Sequence, residues 1–588
     1  MITPYLKNVC VGGEIGRRLE MALRRLLRED EFPIRKGFTA TPYTLEYLLA
    51  DLLWLPSNGS PCGHWAADES GRYINVLSLL LPYAGSLYPE KLKNEIQQRL
   101  ERAVNGVLPL QRPEGYFGKE REEGKIYRDH TSGHNWLLRG LVEYYKISRS
   151  EKALSAAKKL ADYYIKTHSL WTTAEAMKDI EEGEGKAAYV YSNYTHCIDG
   201  LVNLWQATKE ERYLELAKKI GKLVKTFEHA VHSHHFLSTL RGIINLYIAT
   251  GDKFYLDRVE KEWEEISKKG TLPTGGVPEH YLSWTSDEGC SEADWAMINL
   301  YLWTMTQKTK YIETAEKVIL NHLFWNQCAN GGFSCNYGGG DFRLGRMGNH
   351  IPGKRNEAYW CCSMHCCFGL SEIARHIFTY DENTVWINLF NDLSSEFRMG
   401  DEEVKLEIET LYPLKGFLKL EIESRNSFEL KIRKPQWLDR ENVNIQVNGK
   451  PDKVNLEDGY MTVSKKGRRL KVEMNFPLQV RVESPEISPF IYGKSDFIHN
   501  SGKKLILYGP SILRPVEKVE DSEIIIVPEN PEFRVENGLL HINLFGVKTE
   551  PDIEKKEKWH RIIFEPISQE TFNPMDMTVY LHKAGVRS

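Results

Sequence analysis

The hydrophobic periodicity of this chain changes near residue 380, and this change constrains the fold more than any other feature. Before residue 380, apolar residues recur at steps of three and four, as in Ile198, Leu201 and Trp205, which is the spacing of one helical face. After it, apolar and charged residues alternate, as in 404–409 (VKLEIE), which is the spacing of a strand with one buried face. The sequence therefore predicts a helical part followed by a β-part.

A repeated pattern organises the helical part. It consists of Leu, an aromatic residue, two residues, Thr, four residues, Tyr, and Leu or Ile, and it is centred on Thr208, Thr250 and Thr306. Each copy predicts two helices joined by a short turn, in which the Thr hydroxyl bonds nearby backbone. One hairpin cannot bury its apolar face alone, so several must stack. A closed toroid and an open solenoid both satisfy this requirement.

Alternating segments recur after residue 380. They include 418–422 (LKLEI), 443–447 (VNIQV) and 470–474 (LKVEM). Asn448-Gly449 directly follows one of them and is a strong signal for a tight hairpin turn. These segments predict antiparallel strands with one solvated face, arranged in sandwich domains.

Composition excludes several classes of function. Lys and Arg number 77 and Asp and Glu number 81, so the net charge is −4, which disfavours a nucleic-acid partner because such binding neutralises phosphates. We find no apolar run near the ~20 residues of a membrane span, and no signal peptide at the N-terminus. We therefore expect a cytoplasmic protein with no membrane or nucleic-acid partner and an unknown oligomeric state. In a reducing cytosol, its ten Cys indicate metal binding or catalysis more than disulfides.

Four of these Cys lie in one heptapeptide, 361–367 (CCSMHCC). If a helix begins near Cys361, His365 lies one turn from Cys361, and Cys366 lies one turn from Cys362. Thiolate and imidazole groups of this kind are typical zinc ligands. Because four Cys in one segment cannot easily face one ion, we expect only one pair to be functional. The alternative is that some of them are small buried core residues.

A second segment, Glu288-Gly289-Cys290, combines a carboxylate with a thiol. Cys290 precedes Thr306 of its repeat by about 16 residues, so it is predicted near the start of a helix, at the end opposite the turn. A helix N-terminus favours anions such as carboxylates and thiolates. Glu288 and Cys290 therefore become candidate ligands of the same ion as the Cys pair, although acidic residues at a helix start are also common as simple caps.

Histidines occupy matching places in the repeats. His134, His196 and His234 each lie ahead of a repeat turn by a similar distance, with His232 and His235 beside His234. They are therefore predicted at one end of the stacked array, where they would ring one mouth of a toroid. We expect His134, His196 and His234 to bind substrate; the alternative is a structural role for each.

These features together resemble glycoside hydrolase family 127, the β-L-arabinofuranosidase family. The resemblance rests on the helical repeats, the Glu-x-Cys segment, the adjacent Cys pair and the strand region from Val385 onward. This chain follows its Cys pair with Ser363-Met364-His365, where the family usually has Pro-Pro-Asn, and it carries the extra pair Cys366-Cys367. The chain therefore resembles a divergent branch of this family.

The resemblance implies a fold with three parts. It predicts an (α/α)6 barrel over residues 1–380, which would be the catalytic domain. It places a β-sandwich domain at 381–480. A second β-rich region at 481–588 is expected to complete the sandwich.

The resemblance also implies residue roles. The zinc ligands carried over from the family are Glu288, Cys290, Cys361 and Cys362. Cys361, the first Cys of the pair, is the implied nucleophile, and the spacing from the pair to the strand region, which is similar in the family, selects it over Cys366-Cys367. The acid/base Glu of the family follows a Thr-Gly-Gly motif, and here the nearest candidate after Thr274-Gly275-Gly276 is Glu279.

The expected function is that of a zinc-dependent retaining glycoside hydrolase with a Cys nucleophile. It would release L-arabinofuranose or a related sugar from a glycan or glycoconjugate. Two alternatives keep the helical toroid and the zinc. One is an enzyme that activates a substrate thiol, like the lanthionine cyclases, and the other is a non-catalytic carbohydrate-binding protein with a structural zinc.

Overall fold

The computed structural model describes residues 7–29, 41–53, 66–83, 90–122, 124, 127–176, 178, 190–226, 232–280, 288–335, 357–485, 502–517, 519, 523–536, 539–571 and 583–587. The α-helices in these residues are α1 Gly13–Leu26, α2 Leu45–Leu53, α3 Asp68–Leu80, α4 Glu90–Val107, α5 Arg128–Thr131, α6 Gly133–Ser148, α7 Glu151–Thr167, α8 Val190–Thr195, α9 Ile198–Thr208, α10 Glu211–Gly221, α11 Ser233–Thr250, α12 Lys253–Lys269, α13 Gly289–Thr306, α14 Thr309–Val318, α15 Phe324–Asn326 and α16 Cys362–Arg375. None of them combines the length and apolar character of a membrane-spanning helix.

The helices form a closed barrel with an inner and an outer ring. Each inner helix packs on the next in the order α3, α6, α9, α11, α13 and α16, and α16 packs back on α3. The outer helices α4, α7, α10, α12, α14 and α1 pack on successive members of the inner ring. This closure selects the toroid over the open solenoid and confirms the predicted (α/α)6 barrel.

The three Thr residues of the repeat end three inner helices in the same way. Thr208, Thr250 and Thr306 each donate a hydroxyl hydrogen bond to the carbonyl four residues earlier, at 2.9, 2.7 and 2.7 Å. The residue after each Thr has a left-handed backbone, with φ of 59°, 70° and 58°, which is the usual way to stop a helix. The repeated sequence therefore encodes one repeated turn.

The β-part begins at Phe378 and also includes one strand from the N-terminus. The strands are β1 Lys7–Val11, β2 Phe378–Tyr380, β3 Thr384–Ile387, β4 Leu393–Met399, β5 Glu402–Thr410, β6 Phe417–Glu423, β7 Phe428–Arg433, β8 Asn444–Val447, β9 Lys450–Pro451, β10 Asn455–Glu457, β11 Tyr460–Lys465, β12 Arg469–Asn475, β13 Val480–Glu483, β14 Leu505–Tyr508, β15 Ser511–Pro515, β16 Ile524–Pro528, β17 Phe533–Glu536, β18 Leu539–Val547, β19 His560–Pro566 and β20 Lys583–Arg587.

These strands build three sheets. One has the order β1-β4-β5-β6-β12-β8-β9, a second has the order β10-β11-β7-β3-β2, and a third has the order β13-β14-β15-β19-β18-β16-β20, with β17 paired to β18. Apolar residues of the first two sheets share one buried core, which continues into the barrel. In β6, Leu418, Leu420 and Ile422 point inward while the intervening residues are partly exposed, as the alternation predicts. The helical part followed by a β-rich part is therefore confirmed.

The domain boundaries at 380 and 480 remain a prediction, and the structure differs from it in two details. Strand β1 lies in the part assigned to the helical barrel, yet it pairs antiparallel with β4 of the sandwich. Strands β13 to β20 form a separate sheet with its own apolar cluster around Leu513, Ile542 and Phe564, instead of adding strands to the sandwich. Sequence periodicity marks a strand but does not identify the sheet that it joins.

Candidate metal and catalytic centre

Two neighbouring inner helices begin at the same end of the barrel and bring the predicted ligands together. Helix α13 starts directly after Glu288 and carries Cys290 in its first turn, while Cys361 precedes the first residue of α16, Cys362. The ligand atoms of these four residues all lie within 4.8 Å of one another. The Sγ atom of Cys362 is 3.4 Å from that of Cys290 and 3.5 Å from that of Cys361.

This donor set fits a zinc ion. Three thiols and one carboxylate are ligand types that zinc accepts, and Zn–S bonds of about 2.3 Å in a tetrahedron place sulfur atoms roughly 3.8 Å apart. The observed sulfur separations of 3.4 and 3.5 Å are close to that spacing. These four residues therefore form a candidate metal site.

The three thiols have different pKa values. Hydrogen bonds with Cys290, Cys335 and Cys362 lower the pKa of the Cys361 thiol well below its ordinary value, and the Arg72 guanidinium lowers it further. Burial is the main cause that raises the pKa values of Cys290 and Cys362. Among these three, Cys361 is therefore the thiol that ionises first. It is also half-buried, whereas Cys290 and Cys362 are fully buried.

Cys335 is a fourth thiol at this centre, and the sequence analysis did not identify it. Its backbone forms a β-bridge with Glu288, and its side chain interacts with those of Cys361 and Cys362. It is separated from the Cys pair by more than twenty residues and belongs to no repeat. Only the tertiary structure places it here.

Glu279 lies on the segment before α13, and its backbone carbonyl accepts a hydrogen bond of 2.8 Å from the N–H of Ser233. The pKa of Glu288 is raised first by burial, then by Cys361, and then by the charge of Glu279. The Glu279 charge also contributes to the raised pKa of Cys335. The Glu279 carboxylate therefore lies within electrostatic range of the cluster, and its role as acid/base stays a prediction. The Nε2 atom of His232 lies 3.6 Å from a carboxylate oxygen of Glu288, so His232 also borders the centre.

The three predicted substrate-binding His residues meet different surroundings. The Nδ1 atom of His234 lies 2.7 Å from Asp294, and its Nε2 atom lies 3.0 Å from Arg72, so protein partners use both nitrogens. The Nε2 atom of His134 accepts a hydrogen bond from the backbone N–H of Phe117 at 3.0 Å. These contacts occupy both ring nitrogens of His234 and the Nε2 atom of His134, and the role of the two residues in substrate binding stays a prediction.

His196 is the third member of this set, and its ring is buried edge-on to Trp136, with ring centres 5.4 Å apart. Neither ring nitrogen has a hydrogen-bond partner among the described residues. A buried polar group normally has a partner. His196 therefore keeps the hydrogen-bonding capacity that the predicted role requires.

A buried hydrogen-bond hub, defined by Asp294 and its partners, joins three inner helices beneath the cluster. The Asp294 carboxylate is bonded by Arg241 at 2.6 Å, by His365 at 2.9 Å, by Ser238 at 2.7 Å and by His234. His234, Asp294 and His365 have the composition of a second metal site. The Arg241 guanidinium already neutralises Asp294, however, so the group acts as a structural hub and does not offer a free anionic site for a cation.

The second Cys pair has no place in the cluster. Cys366 and Cys367 are fully buried among apolar side chains, and Cys366 packs behind Gly289, where its Sγ lies 2.8 Å from the position that a Cβ atom would occupy. Burial raises the pKa of the Cys367 thiol. One pair thus faces the candidate ion while the other is part of the core.

Comparisons with known proteins show which family this chain resembles. Residues 53–371 match the family model described as the β-L-arabinofuranosidase GH127 catalytic domain, and residues 384–478 match the GH127 middle domain. A non-reducing end β-L-arabinofuranosidase from Bifidobacterium longum subsp. longum is 20% identical over 511 residues, which cover 73% of each chain.

Solved structures show a similar fold. A GH127 β-L-arabinofuranosidase from Geobacillus stearothermophilus T6 superimposes with a TM-score of 0.72 at 15% identity, covering 99% of this chain and 100% of that one. A second GH127 β-arabinofuranosidase superimposes with a TM-score of 0.69 at 18% identity, covering 98% and 97%. At these identities, the likeness establishes the shared architecture.

Proposed function

The chain belongs to glycoside hydrolase family 127 and is a glycosidase that acts on carbohydrate, and from this premise we propose that it is a zinc-dependent retaining enzyme with Cys361 as nucleophile. The sugar that we propose it releases is L-arabinofuranose or a close relative, in line with the name of its curated relative. Glu288, Cys290, Cys361 and Cys362 are the proposed zinc ligands.

The observation that carries the proposal is the exposure of Cys361. Cys290 and Cys362 are fully buried, and Cys361 is half-buried, so of the three predicted thiol ligands it is the one that a substrate can touch. Its pKa is also lowered, which favours the nucleophilic thiolate form. A closed structural zinc site would instead have all of its ligands buried, so the exposure of Cys361 supports catalysis.

The chemistry is a double displacement. Zinc, when bound, holds thiolate ligands deprotonated at neutral pH. Cys361 attacks the anomeric carbon while Glu279 donates a proton to the departing oxygen. Glu279 then removes a proton from water, and this water cleaves the bond between the sugar and Cys361, with net retention of configuration.

The side chains around the cluster support this reaction by position. Arg72 donates to Asp68 at 2.6 Å and contacts His234, which holds its positive charge near Cys361. The partner-free nitrogens of His196 are proposed to bind hydroxyl groups of the sugar. His134 and His234 act indirectly in this proposal, since one contacts the backbone of Phe117 and the other orients Arg72.

The proposal is tested by covalent labelling with a furanose-configured, cyclophellitol-type epoxide. We expect one label per wild-type chain, mapped by mass spectrometry to the peptide that contains Cys361. Cys361→Ser should take up no label, and the matched variant Cys367→Ser, which alters a buried core thiol, should be labelled like the wild type. Attachment to a carboxylate would overturn the assignment of the nucleophile.

The metal is tested separately by elemental analysis. We expect about one zinc per wild-type chain and its loss in Cys290→Ala, because removing one of three thiolates greatly weakens such a site. Absence of zinc from fully active wild-type protein would exclude the zinc-dependent mechanism.

A further inference from the structure

Backbone hydrogen bonds from two other segments of the chain hold the Cys335 segment at the centre. The Gly289 N–H donates to the carbonyl of Ser334 at 3.0 Å, and the Ala358 N–H donates to the carbonyl of Phe333 at 2.7 Å. One of these bonds leads to the Glu288–Cys290 ligand segment and the other to the segment ahead of Cys361. The position of Cys335 relative to the four predicted ligands is therefore fixed by main-chain hydrogen bonds.

The Cys335 thiol contacts the pair without joining the ligand set. Its backbone bridges to Glu288, its side chain interacts with those of Cys361 and Cys362, and it is almost completely buried. Yet the four ligand atoms that lie within 4.8 Å of one another belong to Glu288, Cys290, Cys361 and Cys362. The structure thus contains one thiol more than a tetrahedral site with a carboxylate ligand requires.

An additional thiol has a specific use in the proposed reaction. When Cys361 forms a bond to the sugar, its sulfur becomes a neutral thioether, which is a much weaker zinc ligand than a thiolate. The site would then retain one carboxylate and two thiolates. A buried thiol in contact with both members of the Cys pair is placed to fill the vacated position.

We propose that Cys335 is a reserve ligand, which binds the metal when Cys361 leaves it. This inference rests on the proposed function. In the exchange, the bond from the metal to the Cys361 sulfur breaks, a bond from the metal to the Cys335 sulfur forms, and the S–H proton of Cys335 passes to water. Glu279 stays unprotonated and remains available as the base for the second half of the reaction.

The test measures metal binding in wild type, Cys335→Ser, Cys361→Ser and the double variant, with Cys367→Ser as the control. Cobalt(II) serves as the probe, because its absorption reports the number of thiolate ligands, and affinity is measured by competition with a chelator. Cys335→Ser should match the wild type. Cys361→Ser should keep a three-thiolate spectrum and an affinity within about tenfold of wild type, while the double variant falls to two thiolates and loses at least about a hundredfold.

The same measurements can also contradict the proposal. If Cys361→Ser already shows two thiolates and binds as weakly as the double variant, Cys335 is not a reserve ligand. If wild type binds neither cobalt nor zinc, the proposed zinc-dependent function fails as well. The two failures are therefore distinguishable.

A second measurement avoids dependence on the folding of the Cys361→Ser variant. Wild type and Cys335→Ser are each labelled at Cys361 with the epoxide, and the metal that remains after dialysis against a chelator is counted. Labelled wild type should retain its metal and labelled Cys335→Ser should lose it. Equal retention in both would overturn the proposal.

Discussion

Cys361 and Cys362 are adjacent residues of the same chemical type, but their surroundings give them different properties. Cys361 precedes α16 with a non-helical backbone, at φ −148° and ψ −60°, and remains half-buried. Cys362 is the first helical residue, and its buried thiol lies 3.4 Å from that of Cys290. Both thiols therefore reach the ligand cluster, but the residue with the non-helical backbone stays partly exposed while the first helical residue is buried.

Glu279→Gln tests the assignment of the general acid. We expect kcat on a substrate with an alkyl alcohol leaving group to fall about 10²- to 10⁴-fold, because that oxygen needs a proton to depart. The formation of the covalent intermediate from an aryl glycoside with an acidic phenol should be much less affected, since this leaving group departs as an anion. Burst kinetics with both substrates measure the difference.

The exposed carboxylate Glu215, which pairs with Lys218 on the surface, provides the control for this variant. Glu215→Gln should leave both rates unchanged. An equal loss on the alkyl and aryl substrates in Glu279→Gln would contradict the role of Glu279 as general acid.

At the level of secondary-structure elements, the barrel depends on close approaches between inner helices. Gly71 of α3 faces α6 so closely that a Cβ atom would lie 2.2 Å from the backbone nitrogen of Leu137. Gly140 of α6 in turn faces the carbonyl of Gly71. Because Trp136 directly precedes Leu137 and stacks on His234 and Arg72, a shift of α6 would also displace residues near the centre.

Gly71→Ala should therefore destabilise the barrel by about 3 kcal/mol or more, because the added methyl group meets backbone and cannot be relieved by a rotamer change. The measurement is the unfolding midpoint in urea, followed by circular dichroism.

Gly251→Ala is the comparison for this variant. Its φ is +70°, and the space around it is open, so the expected cost is only about 1 kcal/mol of backbone strain. Equal effects of the two substitutions would show that packing between α3 and α6 is not the cause.

At the level of the whole molecule, buried polar contacts join the barrel to the sandwich. Arg433 of β7 donates to Glu313 of α14 at 2.7 Å and also pairs with Glu316. The Tyr412 hydroxyl donates to Glu316 at 3.0 Å. The two carboxylates compensate the charge of the Arg433 guanidinium, which makes burial of the arginine at this junction acceptable. The interface fixes the two parts relative to each other.

The same junction region carries a pH-sensitive group. His376 follows α16 and is buried, and burial lowers its pKa from 6.5 to about 4 even though Glu372 opposes the shift. The folded state thus binds this proton less tightly than the unfolded state. Its contribution to stability is complete above pH 6.5, falls as the pH decreases from 6.5 toward 4, and amounts to about 3 kcal/mol.

We expect the unfolding temperature of wild type to fall between pH 6.5 and 4, and that of His376→Asn to fall less over this window. His560→Asn, at a half-exposed position, should keep the wild-type slope. Calorimetric scans at a series of pH values measure both, and parallel curves for all three proteins would contradict the assignment to His376.

The sequence by itself determined the local structure and much of the centre. The periods of 3.6 and 2 separate helices from strands because each reflects a fixed backbone geometry. Thr208, Thr250 and Thr306 mark the turns because a hydroxyl bonds backbone only a few residues away. The Cys-rich segment 361–367 and the segment around Cys290 were identifiable as candidate ligands because they are dense in sequence and lie at predicted helix starts, while the family resemblance selected the pair Cys361-Cys362.

Only the tertiary structure decided what depends on contacts between distant segments. The barrel closes because α16 packs on α3, and no sequence pattern encodes that contact. Cys335 reaches the centre because its segment forms backbone hydrogen bonds with two other segments. Cys366 lies outside the ligand cluster because it is buried in the apolar core. Both nitrogens of His234 meet Asp294 and Arg72 from other helices, which the sequence did not indicate. Such partners are set by three-dimensional packing, in which residues far apart in the chain become neighbours without any regular spacing.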